Sequence, residues 1–120
     1  MKILINSKQI FEEHEDKVFE EYHGDVVLIE GGFELKYDES KIIFRENKLI
    51  VTTQNTSMII EVNRTHLSSL QTPYGVIELE INGEYMEWQE NPFLFEVRYK
   101  VKMEQTQCYI NELQIQIIED

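Results

Sequence analysis

The sequence predicts an all-β chain, a single antiparallel meander closed into a barrel of about eight to ten strands. Three observations carry this. Apolar and polar residues alternate with period two along most of the chain. Turn-forming residues interrupt the alternation at short intervals. A flat meander with this many strands would leave long unpaired edges, and closure removes them.

The elements follow in chain order. Ile10 to Lys17 is the one candidate helix, with Ile10, Phe11, His14 and Val18 as its stripe. A strand competes there, because Phe19 and Tyr22 follow without a cap. Phe33, Leu35 and Tyr37 alternate with Glu34, Lys36 and Asp38. Ile42 with Phe44, and Leu49 with Val51 and Thr53, form further sets. Met58, Ile60 and Val62 alternate with Ile59, Glu61 and Asn63, and Ile77, Leu79 and Ile81 with Glu78, Glu80 and Asn82. The clearest strand runs from Phe93 to Met103. Phe93, Phe95, Val97, Tyr99, Val101 and Met103 face one way, and Glu96, Arg98, Lys100 and Lys102 the other. Its length of roughly 35 Å requires twist and coiling. Tyr109, Asn111, Leu113, Ile115 and Ile117 form the last inward set. Turn signals are His23-Gly24-Asp25, Gly31-Gly32, Glu46-Asn47, Gln54-Asn55-Thr56, Thr72-Pro73-Tyr74-Gly75, Asn82-Gly83 and Asn91-Pro92. Gly31-Gly32 and Asn82-Gly83 suit tight hairpins, which need positive φ.

Residues 1–120 make one domain, large enough for a core without disulfides or metals. The net charge is −12, from 23 acidic against 11 basic residues that are spread along the chain. Nucleic acid and anionic membrane surfaces are therefore not expected partners. Cys108 is the single cysteine, which fits a reducing compartment. The first residues carry too short an apolar run for a signal peptide, so the expected location is cytoplasmic.

Three segments stand out together: Phe33-Glu34-Leu35-Lys36-Tyr37-Asp38-Glu39; Thr72-Pro73-Tyr74-Gly75 with Ile77-Glu78-Leu79-Glu80-Ile81; and Phe95-Glu96-Val97-Arg98-Tyr99-Lys100-Val101 leading to Asn111-Glu112-Leu113-Gln114-Ile115. In order and spacing they resemble the YwiB-like family of small bacterial proteins of unknown function. The resemblance extends from about Lys17 onward, and the Thr-Pro-Tyr-Gly segment is its most specific part. It implies a calycin-like, lipocalin-type β-barrel and little chemistry. The family pattern has an Arg-Gly pair near the end of the fifth strand. This chain has Leu49 to Asn55 there, so Arg45 or Arg64 would have to supply the arginine.

No motif names a reaction, a metal or a cofactor. The acidic run Glu12-Glu13-His14-Glu15-Asp16 matches no EF-hand loop and reads as a solvated edge. His14, His23, His66 and Cys108 have no zinc-ligand spacing. His66 and Ser68 share a strand face, without a nucleophile elbow. Cys108 reads as a small packing residue. What remains is the barrel interior, either filled or holding one small, mostly apolar ligand. The ligand candidates are Tyr37, Tyr99 and Tyr109 on inward faces, Tyr74 packed over one barrel end, and Arg45 for a carboxylate head. By strict alternation with Phe44, Arg45 faces outward. The alternative is a protein-interaction or regulatory module with a solid core. Trp88 and Phe93, flanking Asn91-Pro92, suit either a homodimer interface or a plug in a barrel end.

Overall fold

Alternation along each strand gives every strand one apolar face, and that face is buried only if the sheet rolls up around it. In the computed structural model, which describes residues 1–103 and 107–119, it does so. The strands are β1 (Lys2–Ile10), β2 (Glu15–Ile29), β3 (Gly32–Tyr37), β4 (Ser40–Arg45), β5 (Lys48–Thr52), β6 (Thr56–Glu61), β7 (Thr65–Thr72), β8 (Gly75–Gln89), β9 (Leu94–Met103) and β10 (Gln107–Ile118). Each pairs antiparallel with its neighbours in sequence, and β1 pairs with β10 to close the barrel. The expected meander and its closure are both observed.

The lower end of the barrel holds the β2–β3, β4–β5, β6–β7 and β8–β9 turns, and the upper end the others. The core consists of the inward sets from all around the barrel, including Ile3, Leu35, Ile42, Leu49, Ile60, Ile81, Val97 and Ile115, each at most 2% exposed. An aromatic plug fills the lower end. The Phe33 ring lies 4.9–5.6 Å from those of Phe44, Trp88, Phe93 and Phe95. Trp88 and Phe93 thus close a barrel end.

Three local expectations are corrected. Ile10 to Lys17 is not helical. β1 ends at Ile10 and β2 starts at Glu15, and the Phe11 N–H donates to the His14 carbonyl at 2.9 Å to close the turn between them. His23-Gly24-Asp25 and Asn82-Gly83 are not turns but lie inside the two 15-residue strands. At Gly24, β2 passes from pairing with β1 to pairing with β3, and a Cβ there would collide with the Lys36 carbonyl oxygen. At Gly83, β8 carries a bulge, and a Cβ would sit 2.6 Å from the Glu61 carbonyl oxygen. Both glycines serve close backbone approach rather than chain reversal. Gly31, with φ of 78°, does form the expected tight β2–β3 turn.

Candidate functional site

The inward faces differ between the two ends. Near the upper end the inward residues include Met58, Leu70, Ile77, Met103 and Tyr109, only partly buried and packed on the core from β6, β7, β8, β9 and β10. Below them β9 and β10 bring a polar pair into the interior. Asn111 stands directly opposite Tyr99 in the ladder, so their side chains share the inner face. The Asn111 Nδ2 donates to the Tyr99 hydroxyl at 2.7 Å. Burial pushes the Tyr99 hydroxyl far above the ordinary tyrosine range, nearby Tyr109 adds to this, and the Asn111 hydrogen bond opposes it.

The pair is incompletely satisfied. Asn111 Oδ1 is buried and has no hydrogen-bond partner among the described residues. The Tyr99 hydroxyl receives the amide, and its own proton is free to be donated. A neutral acceptor and a neutral donor therefore sit side by side in the barrel. Every Lys and Arg on a described strand is on the outward face, so no cation joins them.

Of the predicted site residues, Tyr37, Tyr99 and Tyr109 face inward. Tyr109 packs against Phe11 at 5.1 Å, and burial raises its hydroxyl. Tyr37 ends β3 with its ring 4.5 Å from that of Tyr22. Its hydroxyl is raised chiefly by burial. Tyr22 donates to the Glu20 carboxylate, which pushes it up to about 12. Arg45 and Tyr74 do not join this group. Arg45 is exposed at the lower end of β4 and lines an outer concavity of about 510 Å³ with Ile43, Lys48, Ile50 and Glu61. Tyr74 is 99% exposed at the β7–β8 turn. It is not packed over the barrel, because Thr72 Oγ1 ties the turn locally. That oxygen accepts from the Tyr74 N–H at 3.2 Å and donates to the Gly75 carbonyl at 2.8 Å.

The sequence reading overlooked Asn111 as a site residue, although it was the one polar member of an otherwise inward apolar and aromatic set. The His66 and Ser68 side chains engage other partners. His66 Nε2 meets Glu61 Oε1 at 3.0 Å, and Ser68 Oγ donates to the Ser57 carbonyl at 2.5 Å. Cys108 is exposed, not packed, since it lies opposite Lys102 on the outer face. Among the described residues no three His, Cys, Asp or Glu side chains converge on a point.

The fold is similar to that of the YwiB protein from Bacillus subtilis. The two superpose with a TM-score of 0.74 over 98% of this chain and 91% of the other, at 8% identity. No family model and no curated protein matches the sequence. At that identity the likeness to YwiB concerns the barrel and not its contents.

Other concavities lie outside. One of about 380 Å³ crosses the outer face of β2, β1, β10, β9 and β8, with Phe19 and Tyr85 in its lining and Lys8, Lys17, Glu96 and Glu112 between. Another, of about 450 Å³, includes Asn82, Lys100, Lys102 and Cys108.

Proposed function

We propose that this chain is a cytoplasmic bacterial protein of the YwiB-like family, with a calycin-like barrel, that binds one small, mostly apolar ligand in the upper half of that barrel. The observation that carries the reading is the buried Asn111 Oδ1, unpartnered beside the Tyr99 hydroxyl. A buried acceptor left unmade costs about 1–3 kcal/mol, so something that completes it is favoured. The ligand head is neutral, with one donor and one acceptor: a primary amide, an alcohol or a protonated acid. A carboxylate is disfavoured, because a buried anion without a counter-charge is costly. Arg45 cannot supply that counter-charge, because it lies on the outer face. The tail lies against Leu70, Ile77, Met58 and Met103, and the thioethers of the two methionines adapt to irregular shapes.

Native mass spectrometry of freshly purified protein, followed by calorimetric titration with decanamide, tests this. A retained mass or saturable uptake is expected, with affinity reduced at least about tenfold in Asn111→Leu. A protein that carries only its own mass and takes up no decanamide would refute the reading.

A second reading is an interaction module with a solid core. The concavities on the outer face support it.

A further inference from the structure

The two ends of β2 are in different situations. Gly24–Ile29 pair with β3, whereas Glu15–His23 pair only with β1. Among the described residues nothing hydrogen-bonds the other edge of that nine-residue stretch. From Glu15 to Glu21 its side chains are exposed on both faces, with Val18 at 51% and Phe19 at 60%, and only Tyr22 packs partly against the core. A long open edge with exposed apolar residues is a template for another strand.

The charges on this edge select the occupant. Antiparallel pairing of two copies about a two-fold axis perpendicular to the sheet must centre on a single residue, because facing residues must share a face. Centring on Lys17, Glu20 or Glu21 sets like charges against each other at the axis. Centring on Val18 sets Glu15 against Glu21 and Asp16 against Glu20. Centring on Phe19 sets Phe19 against Phe19, Lys17 against Glu21, Val18 against Glu20, Asp16 against Tyr22 and Glu15 against His23. That register alone among these has no like-charged pair, and it forms the Lys17–Glu21 pair twice.

Lys17 is available for it. Within the chain Lys17 stands opposite Lys8, which reaches Glu15 at 3.5 Å, and Lys17 makes no ion pair among the described residues. Glu21 has only an exposed contact with Lys2 at 3.9 Å.

We propose that this edge of β2 binds a second copy of the chain, forming a two-fold dimer in which β2 pairs with β2 about Phe19. The two barrels then share a continuous sheet from β1 through both β2 strands to the partner's β1. The interface is narrow and the association correspondingly weak.

Sedimentation equilibrium of the full chain from about 10 µM to 1 mM, near 150 mM salt, tests this. Wild type is expected to dimerise across that range. Lys17→Glu and Glu21→Lys each turn two attractive pairs into repulsive ones and should weaken association at least about tenfold. The double variant K17E/E21K restores opposite charges in the same register and should dimerise like wild type. Circular dichroism melts confirm that each variant is folded. Should either single variant be unfolded, Phe19→Ser serves in its place, with weakened association expected. A wild-type monomer at 1 mM, a dimer unaffected by Lys17→Glu, or a folded double variant that stays monomeric would overturn the proposal.

Discussion

Asn111 Nδ2 and the Tyr99 hydroxyl form a 2.7 Å hydrogen bond inside the barrel, while Asn111 Oδ1, on the same amide, has no partner among the described residues. Among mostly apolar inward side chains, an uncharged polar pair is thus held between β9 and β10. Charge is what this position should not tolerate. Asn111→Asp places a carboxylate there with no inward cation. Its folded pKa should rise above the unfolded value near 3.9. Such a group contributes most below the unfolded pKa and loses that contribution as pH rises through the folded one. The variant should therefore be less stable than wild type at pH 7 by about 3 kcal/mol, and the gap should narrow toward pH 4. Paired urea titrations at the two pH values measure it.

Tyrosine ionisation sets the alkaline limit. The Tyr99 hydroxyl is raised by burial, and that of Tyr22 is pushed up to about 12 by its hydrogen bond to Glu20. For a raised folded pKa the stabilising contribution is intact below the unfolded value of 10.0 and is lost as pH climbs past it. Stability should fall above pH 10 by up to about 1.4 kcal/mol per pH unit for the buried Tyr99, and by less for Tyr22, whose hydroxyl is screened by solvent. Tyr99→Phe should be less stable at pH 7 by about 1–3 kcal/mol, because the Asn111 amide loses its acceptor. It should nevertheless show a shallower decline between pH 10 and 11. Urea midpoints at neutral and alkaline pH check both signs.

Alternation made the barrel legible before any coordinates. A period of two assigns faces, and the ladder confirms the inward positions of Phe33, Leu35, Tyr37, Phe95, Val97 and Tyr99. Single residues inside long strands were less legible. Gly24 and Gly83 carry the same local signal as a turn glycine, and only the approach of Lys36 and Glu61 backbone separates the two uses. The site was half legible. The inward tyrosines followed from parity, whereas the unpaired oxygen of Asn111 depends on what β9 places opposite it. The outward position of Arg45 was legible from its alternation with Phe44, whereas at Tyr74 neither residue type nor spacing reveals that the turn is tied to itself.

Backbone proximity at the start of β3 gives a third prediction. An added Cβ on Gly32 would overlap the Phe44 carbonyl oxygen and lie 3.1 Å from Arg45 Cα. Neither contact is a flexible side-chain tip, so the β3–β4 ladder must shift. Gly32→Ala should cost about 2–4 kcal/mol, more than the usual surface substitution. Gly75→Ala lies at φ of 125° but meets nothing within 4 Å, so its cost is backbone strain alone, about 1–2 kcal/mol. Thermal unfolding of the pair should rank them in that order.

The aromatic plug separates folding from ligand uptake. Phe33 is fully buried and its ring lies against those of Phe44, Trp88, Phe93 and Phe95, so removing it empties the centre of the lower end. Phe33→Ala should cost about 3–5 kcal/mol, a large share of the stability of a domain this size, and Phe33→Leu about 1–2 kcal/mol. Trp88 is the only tryptophan, so its emission reports the plug. In the folded Phe33→Leu variant the emission should shift to the red as contact with the ring is lost. Decanamide uptake at the upper end should be preserved, because Tyr99 and Asn111 are held by the β9–β10 ladder and not by the plug. A red shift without loss of uptake is the expected combination. Uptake lost together with the plug would instead place the ligand among the aromatic rings.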